Sequence, residues 1–193
     1  MKKAKQKSYE LGFDCCTKIS KKEIEKMIAK CINHLRKKEY ELNIPKLTYS
    51  MDKKVKPSQY ALQCLKVYDD RSRSCAGRSL IQIGLCSSDL SKGKFKWKEY
   101  KSFNNDPTIG EIFTISPYQR LWLLVAHEVS HHVQYKYCPS VLRFKKTYKK
   151  GHGICFKTVY RYLRRDLINP MIKEQNRLEK INYEKEYNES YYI

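Results

Sequence analysis

Apolar positions recur at helical spacing in three stretches of this chain and alternate in several shorter ones. Ile24, Met27, Ile28, Cys31, Ile32 and Leu35 share one face, and Ser20-Lys-Lys-Glu23 places a capping box in front of them, so the pattern predicts a helix over about 20–41. A second stretch carries Leu121, Trp122, Leu123, Leu124, Val125, Val129 and Val133 on nearly every side. Such a helix is mostly buried. Ser116-Pro-Tyr-Gln119 gives it an N-cap, a proline at the first helical position and a capping glutamine, which sets its span at 117 to about 136. The third stretch holds Phe156, Val159, Tyr160, Leu163 and Leu167 on one side; Pro170 is expected to interrupt it, and a final helix is expected over the tail, 171–193.

The alternating stretches read as strands. They are Lys46–Ser50, the run Ile81, Ile83, Leu85 around Gln82 and Gly84, and Ile109–Ile115. Residues 60–68 fit strand and helix equally. Residues 92–103 alternate lysine with aromatics, which as a strand sets Lys94, Lys96 and Lys98 against Phe95 and Trp97. A hairpin that packs its rings is the preferred reading there, over an aromatic platform for single-stranded nucleic acid. Residues 1–19 are a basic arm without pattern, 20–170 reads as one domain, and 171–193 is a helical tail.

Charge changes the picture more than length does. Among 193 residues, 40 Lys and Arg face 20 Asp and Glu, a net charge of +20. A field of that sign attracts polyanions, and nucleic acid is the partner expected first, ahead of an anionic membrane or an acidic protein surface. No apolar run reaches membrane-spanning length and no apolar signal core follows Met1, so neither membrane insertion nor secretion is expected. The eight cysteines are then expected as reduced thiols in a cytoplasmic, nuclear or nucleoid compartment.

The buried helix contains the chemistry. His127-Glu-Val-Ser-His131 fits the H-E-x-x-H template, in which two histidines four residues apart share a helix face and converge on one metal. Glu128 stands beside such a metal rather than on it, as a general base for a zinc-activated water. A catalytic zinc needs three protein ligands and an open position. Between His132 and Arg165 there is no Asp or Glu, and the extended pattern H-E-x-x-H-x-x-G-x-x-H fails because Gln134 and Tyr137 occupy its later positions. His152 remains, flanked by Gly151 and Gly153, with Cys138 and Cys155 as substitutes. His132 points about 100° away from that face and reads as a supporting or surface histidine. His34 reads as solvated.

Together, Ala76-Gly77 with Ile81-Gln-Ile-Gly-Leu85, the helix with His127-Glu-Val-Ser-His131, and Gly151-His-Gly-Ile-Cys-Phe156 resemble the SprT-like zinc metalloproteases, the family that includes the DNA-protein crosslink protease Spartan. The resemblance covers about 20–170. It implies a zincin-like α+β fold with a small antiparallel sheet beside the active-site helix, one Zn2+ per chain on His127, His131 and His152, Glu128 as general base, and a role in DNA-protein crosslink repair. Many members add a cysteine zinc ribbon, which this chain lacks.

Between Lys136 and Arg165 lie ten basic residues and no acid. Lys145, Lys146, Lys149, Lys150, Arg161, Arg164 and Arg165 are therefore the candidate contacts to a phosphate backbone, against the plainer reading of a solvated basic face. Tyr135, Tyr137 and Tyr148 are candidates to stabilise an oxyanion. The function expected is zinc-dependent hydrolysis of peptide bonds in proteins at or crosslinked to DNA. The competing expectations are a nucleic-acid-binding protein with a structural, non-catalytic zinc, and a peptidase indifferent to DNA.

Overall fold

The computed structural model describes residues 8–10, 18–44, 47, 55–69, 73–86, 90, 95–99, 103 and 105–190. Short strands β1 (Ser8–Glu10) and β2 (Lys18–Ser20) pair antiparallel and lead into α1 (Lys21–Lys37). Ser20 Oγ accepts from the Glu23 amide at 3.2 Å while the Glu23 carboxylate accepts from the Ser20 amide at 2.7 Å. The capping box expected from the sequence is thus closed in both directions. Ile24, Met27, Ile28, Cys31, Ile32 and Leu35 are all buried, and each such aliphatic side chain contributes about 1.5–3 kcal/mol on leaving water. A turn at Lys38 and a single helical turn, α2 (Glu39–Leu42), end this region at Asn43, whose φ of 53° is the left-handed conformation asparagine tolerates. Of the strand expected at Lys46–Ser50, only Leu47 lies within the described residues, and it is buried.

The segment that fitted both helix and strand is both: α3 (Pro57–Gln63) turns at Cys64 into β3 (Leu65–Tyr68). β4 (Cys75–Ala76) and β5 (Ile81–Gly84) form a hairpin whose turn is closed by the Gly77 amide donating to Leu80 O at 2.8 Å. The sheet order is β3-β5-β4, with β3 parallel and β4 antiparallel to β5. The expected antiparallel sheet is therefore mixed. Its chain skips the central position and fills it with the second arm of the hairpin, a long-range pairing that no local pattern announces. Ile81, Ile83 and Leu85 are buried. β6 (Phe95–Lys98) and β7 (Glu111–Thr114) make a separate antiparallel pair, with Trp97 packed on the core.

α4 (Pro117–Lys136) is the spine. It packs against α1, β4, β5 and β7, and fifteen of its residues are buried. Ser116 Oγ caps it through the Gln119 amide, and the Gln119 side chain reaches back one residue further than a capping box requires, accepting from the Ile115 amide at 2.9 Å. Two 3-10 turns, Cys138–Ser140 and Leu142–Phe144, carry the chain to α5 (Ile154–Leu163).

Pro170 does not break the helix. Residues Arg164–Ile168 widen into a π-helical turn, with the Asn169 amide donating to Arg164 O, and α6 (Asn169–Ser190) continues from it. In an α-helix a proline lacks an amide proton and its ring collides with the carbonyl four residues back, and the wider turn lies immediately before Pro170. Ile168 and Ile172 remain in the core. Among the described residues no helix is long and apolar enough to cross a membrane.

Candidate metal centre

His127 and His131 project from one face of α4 with ring centroids 5.0 Å apart, and His152 reaches them from the turn before α5. His152 Nε2 lies 3.2 Å from His127 Nε2 and 3.1 Å from His131 Nε2. Three bonds of about 2.0–2.1 Å to a tetrahedral zinc require nitrogens about 3.3–3.4 Å apart, so the donor set fits one small metal ion. These three histidines are the one group of metal-ligating side chains found close enough together among the described residues.

The outer ring nitrogens show why the inner ones are available. Gln134 Oε1 can only accept, and it lies 3.0 Å from His131 Nδ1; that nitrogen carries the proton and leaves a lone pair on Nε2. The amide orientation is itself set, because Gln134 Nε2 donates to Tyr148 O at 2.6 Å and to Lys150 O at 2.8 Å. Glu99 Oε2 stands 3.5 Å from His127 Nδ1 and orients the first ligand in the same sense. Burial, joined by the charges of His127 and His152, pulls His131 down to about 3; burial also lowers His152. Phe156 forms the floor, its ring centroid 4.8, 4.3 and 4.9 Å from those of His127, His131 and His152.

Gly153 matters for room rather than for an unusual dihedral. A Cβ there would lie 3.0 Å from Lys150 Cβ and 3.1 Å from Lys150 O, whereas a Cβ at Gly151 would meet nothing. Of the two glycines flanking His152, the second lets α5 start against the turn.

Glu128 is 5 % exposed, and its Oε2 is buried without a hydrogen-bond partner among the described residues. Burial pushes its carboxyl up to about 7; His127 opposes that rise and the Glu99 charge adds to it. A carboxylate so placed is poised to take and return a proton near neutral pH.

Glu99 is the residue that sequence reasoning missed. It is 8 % exposed, and its Oε1 accepts from Trp97 Nε1 at 2.7 Å, from the Tyr160 hydroxyl, and from Arg164, whose NH1 lies 3.4 Å away. Burial alone would raise its carboxyl, yet the bonds from His127, Tyr160 and Trp97 hold it below the usual range. Arg164 is fully buried in this network, so it is not a phosphate contact. That reading is corrected. Arg161 is bound to Asp106 at 2.7 Å and Arg165 to Asp166 at 2.9 Å, while Lys145, Lys146, Lys149 and Lys150 are exposed on the turn that precedes His152.

Other expectations change as well. His132 is not a surface residue: it is fully buried, donates from Nδ1 to Gly77 O at 3.0 Å and stacks on Tyr60, tying α4 to the β4–β5 turn. Burial lowers it to about 4, so it stays neutral. His34 is half-buried, with Nε2 3.9 Å from Asp166 Oδ2, rather than freely solvated. Cys138 and Cys155 are joined in a disulfide, which removes both as substitute ligands and departs from the reduced state expected of them. Among the described residues, Cys31, Cys64, Cys75 and Cys86 form no disulfide. Of the three tyrosines considered for an oxyanion, Tyr137 is turned into the core, and Tyr135 stacks on His131 with centroids 6.0 Å apart. No protein-family model, curated protein or solved structure matches the chain.

Proposed function

We propose that this chain is a zinc-dependent endopeptidase of the SprT-like kind, acting on proteins held at or crosslinked to DNA. The observation that carries the reading is the pairing of three convergent Nε2 atoms with the buried carboxylate of Glu128, beside His127 on α4, whose Oε2 has no hydrogen-bond partner among the described residues. A structural zinc site has no use for such a carboxylate. Bound zinc would supply Lewis acidity, acidifying a water and polarising the scissile carbonyl.

The chain's own residues account for the rest. His127, His131 and His152 would hold the ion, with Glu99 and Gln134 behind two of them. Glu128 takes a proton from the attacking water and delivers it to the leaving amine. Phe156 keeps one side of the site dry. Lys145, Lys146, Lys149 and Lys150 lie a few residues before His152, so a phosphate backbone bound there is held beside the site.

The test is cleavage of a basic DNA-binding protein by the purified chain, with and without DNA and with a chelator. Chelator-sensitive cleavage stimulated by DNA is expected, and Glu128→Gln is expected to retain zinc and lose cleavage. Cleavage by Glu128→Gln at the parent rate would refute the mechanism. Salt-sensitive DNA binding without cleavage under any condition would favour a nucleic-acid-binding protein with structural zinc, and chelator-sensitive cleavage indifferent to DNA a peptidase unrelated to DNA.

A further inference from the structure

The geometry points to Gln134 as a positioning residue that closes the turn bearing His152 and orients His131 at the same time, so that one amide sets two of the three ligands; this rests on the zinc reading above. Gln134 follows His131 by one helical turn and is fully buried. An amide has one acceptor oxygen and two donor protons. Here the oxygen faces His131 Nδ1 at 3.0 Å, and the nitrogen spans to Tyr148 O at 2.6 Å and Lys150 O at 2.8 Å.

Those two carbonyls belong to the turn that delivers His152. The turn's other described backbone bonds are local: Thr147 and Tyr148 amides to Phe144 O, the Lys150 amide to Thr147 O, and the Gly153 amide to Lys150 O. They shape the turn without attaching it to α4. Gln134 supplies a direct cross-link from α4, beside the Cys138–Cys155 disulfide that ties the start of α5 to the turn after α4, and its last acceptor lies two residues before His152. No other side chain reproduces the set. Glutamate keeps the acceptor and loses both donors, leucine loses all three bonds, and asparagine is one methylene too short. The glycine that the extended zinc pattern places at this position has no side chain with which to make any of them.

The experiment measures Zn2+ affinity of the purified chain by competition with a chromophoric chelator, alongside amide hydrogen exchange of the metal-free protein. Gln134→Glu preserves volume and the bond to His131 while releasing the turn. It is expected to weaken zinc binding about 10–100-fold, the usual consequence of losing a group that supports a metal ligand. Amides at 148–153 should exchange faster, and those of α1 should not change. Gln134→Leu should weaken zinc further, because His131 loses its partner too.

In a His152→Ala background the effect of Gln134→Glu should shrink to within about 2-fold, since a residue acting through His152 has nothing left to position. An equal loss in both backgrounds would overturn the inference, as would Gln134→Glu binding zinc like the parent. A parent chain that takes up no zinc would overturn the zinc reading and this inference together. A parent that binds zinc with an indifferent Gln134 would overturn this inference alone.

Discussion

Glu128 should make the metal-free chain less stable as pH rises, and replacing it with glutamine should remove that loss. In the folded chain burial raises its carboxyl from 4.5 to about 7. The folded state therefore binds the Glu128 proton more tightly than the unfolded state does. Stability from this group is fully present below pH ~4.5 and is lost as pH climbs through about 7, where the folded carboxyl ionises. At 1.36 kcal/mol per unit, a rise of this size corresponds to about 3 kcal/mol. Glutamine keeps the volume and cannot ionise. Urea unfolding of parent and Glu128→Gln in chelator, at several values between pH 5 and pH 8, isolates the term, because every other titrating group is common to both. The difference should grow in favour of glutamine by about 2–3 kcal/mol across that range. Two parallel stability profiles would show that Glu128 is not held in the dry setting described here.

Further outcomes are expected at Glu99 and on the basic turn. Glu99→Gln should destabilise the fold by about 3–5 kcal/mol in urea unfolding, because it leaves Arg164 charged and fully buried, and Arg164→Met in the same background should recover part of that loss. The same Glu99→Gln should weaken zinc about 10-fold or more, read by chelator competition, and an unchanged affinity would refute its support of His127. Replacing Lys145, Lys146, Lys149 and Lys150 with alanine should flatten the salt dependence of double-stranded DNA binding by up to about 3–4 in log-log slope if all four meet phosphates. Arg161→Ala, whose partner is already Asp106, should change it by less than about 1.

The metal face was legible because helical periodicity and the four-residue spacing of His127 and His131 are local properties, and both survive into α4. His152 was found from its glycines, although only Gly153 proves to be needed for space. Arg164 was misread as surface charge, yet a signal existed: it follows Phe156 and Tyr160 at intervals of four, on the face that the same periodicity buries. Glu99 had no such signal. It sits inside the run of lysines and aromatics at 92–103, and the partners that make its burial tolerable lie at 127, 160 and 164. Gln134 was visible only as a mismatch to a longer pattern, because its acceptors are backbone carbonyls and carry no residue type. The parallel pairing of β3 with β5 was hidden for a related reason, since strand order depends on a crossover rather than on either strand's sequence.

The π-helical turn at Arg164–Ile168 also acts as a phase shifter for everything after it. One residue of helix corresponds to about 100° of rotation. With one more residue in that turn than an α-helical path would use, α6 presents Gln175 and Asn176 to Gln119 and Phe113 O, where they make bonds of 3.2, 2.8 and 3.1 Å. On an uninterrupted α-helical pitch the same sequence would aim those amides about a quarter turn elsewhere. Which side of the final helix faces the protein and which faces solvent is thus decided by a local miscount in the winding. A one-residue deletion there would redraw that surface more than most substitutions along it.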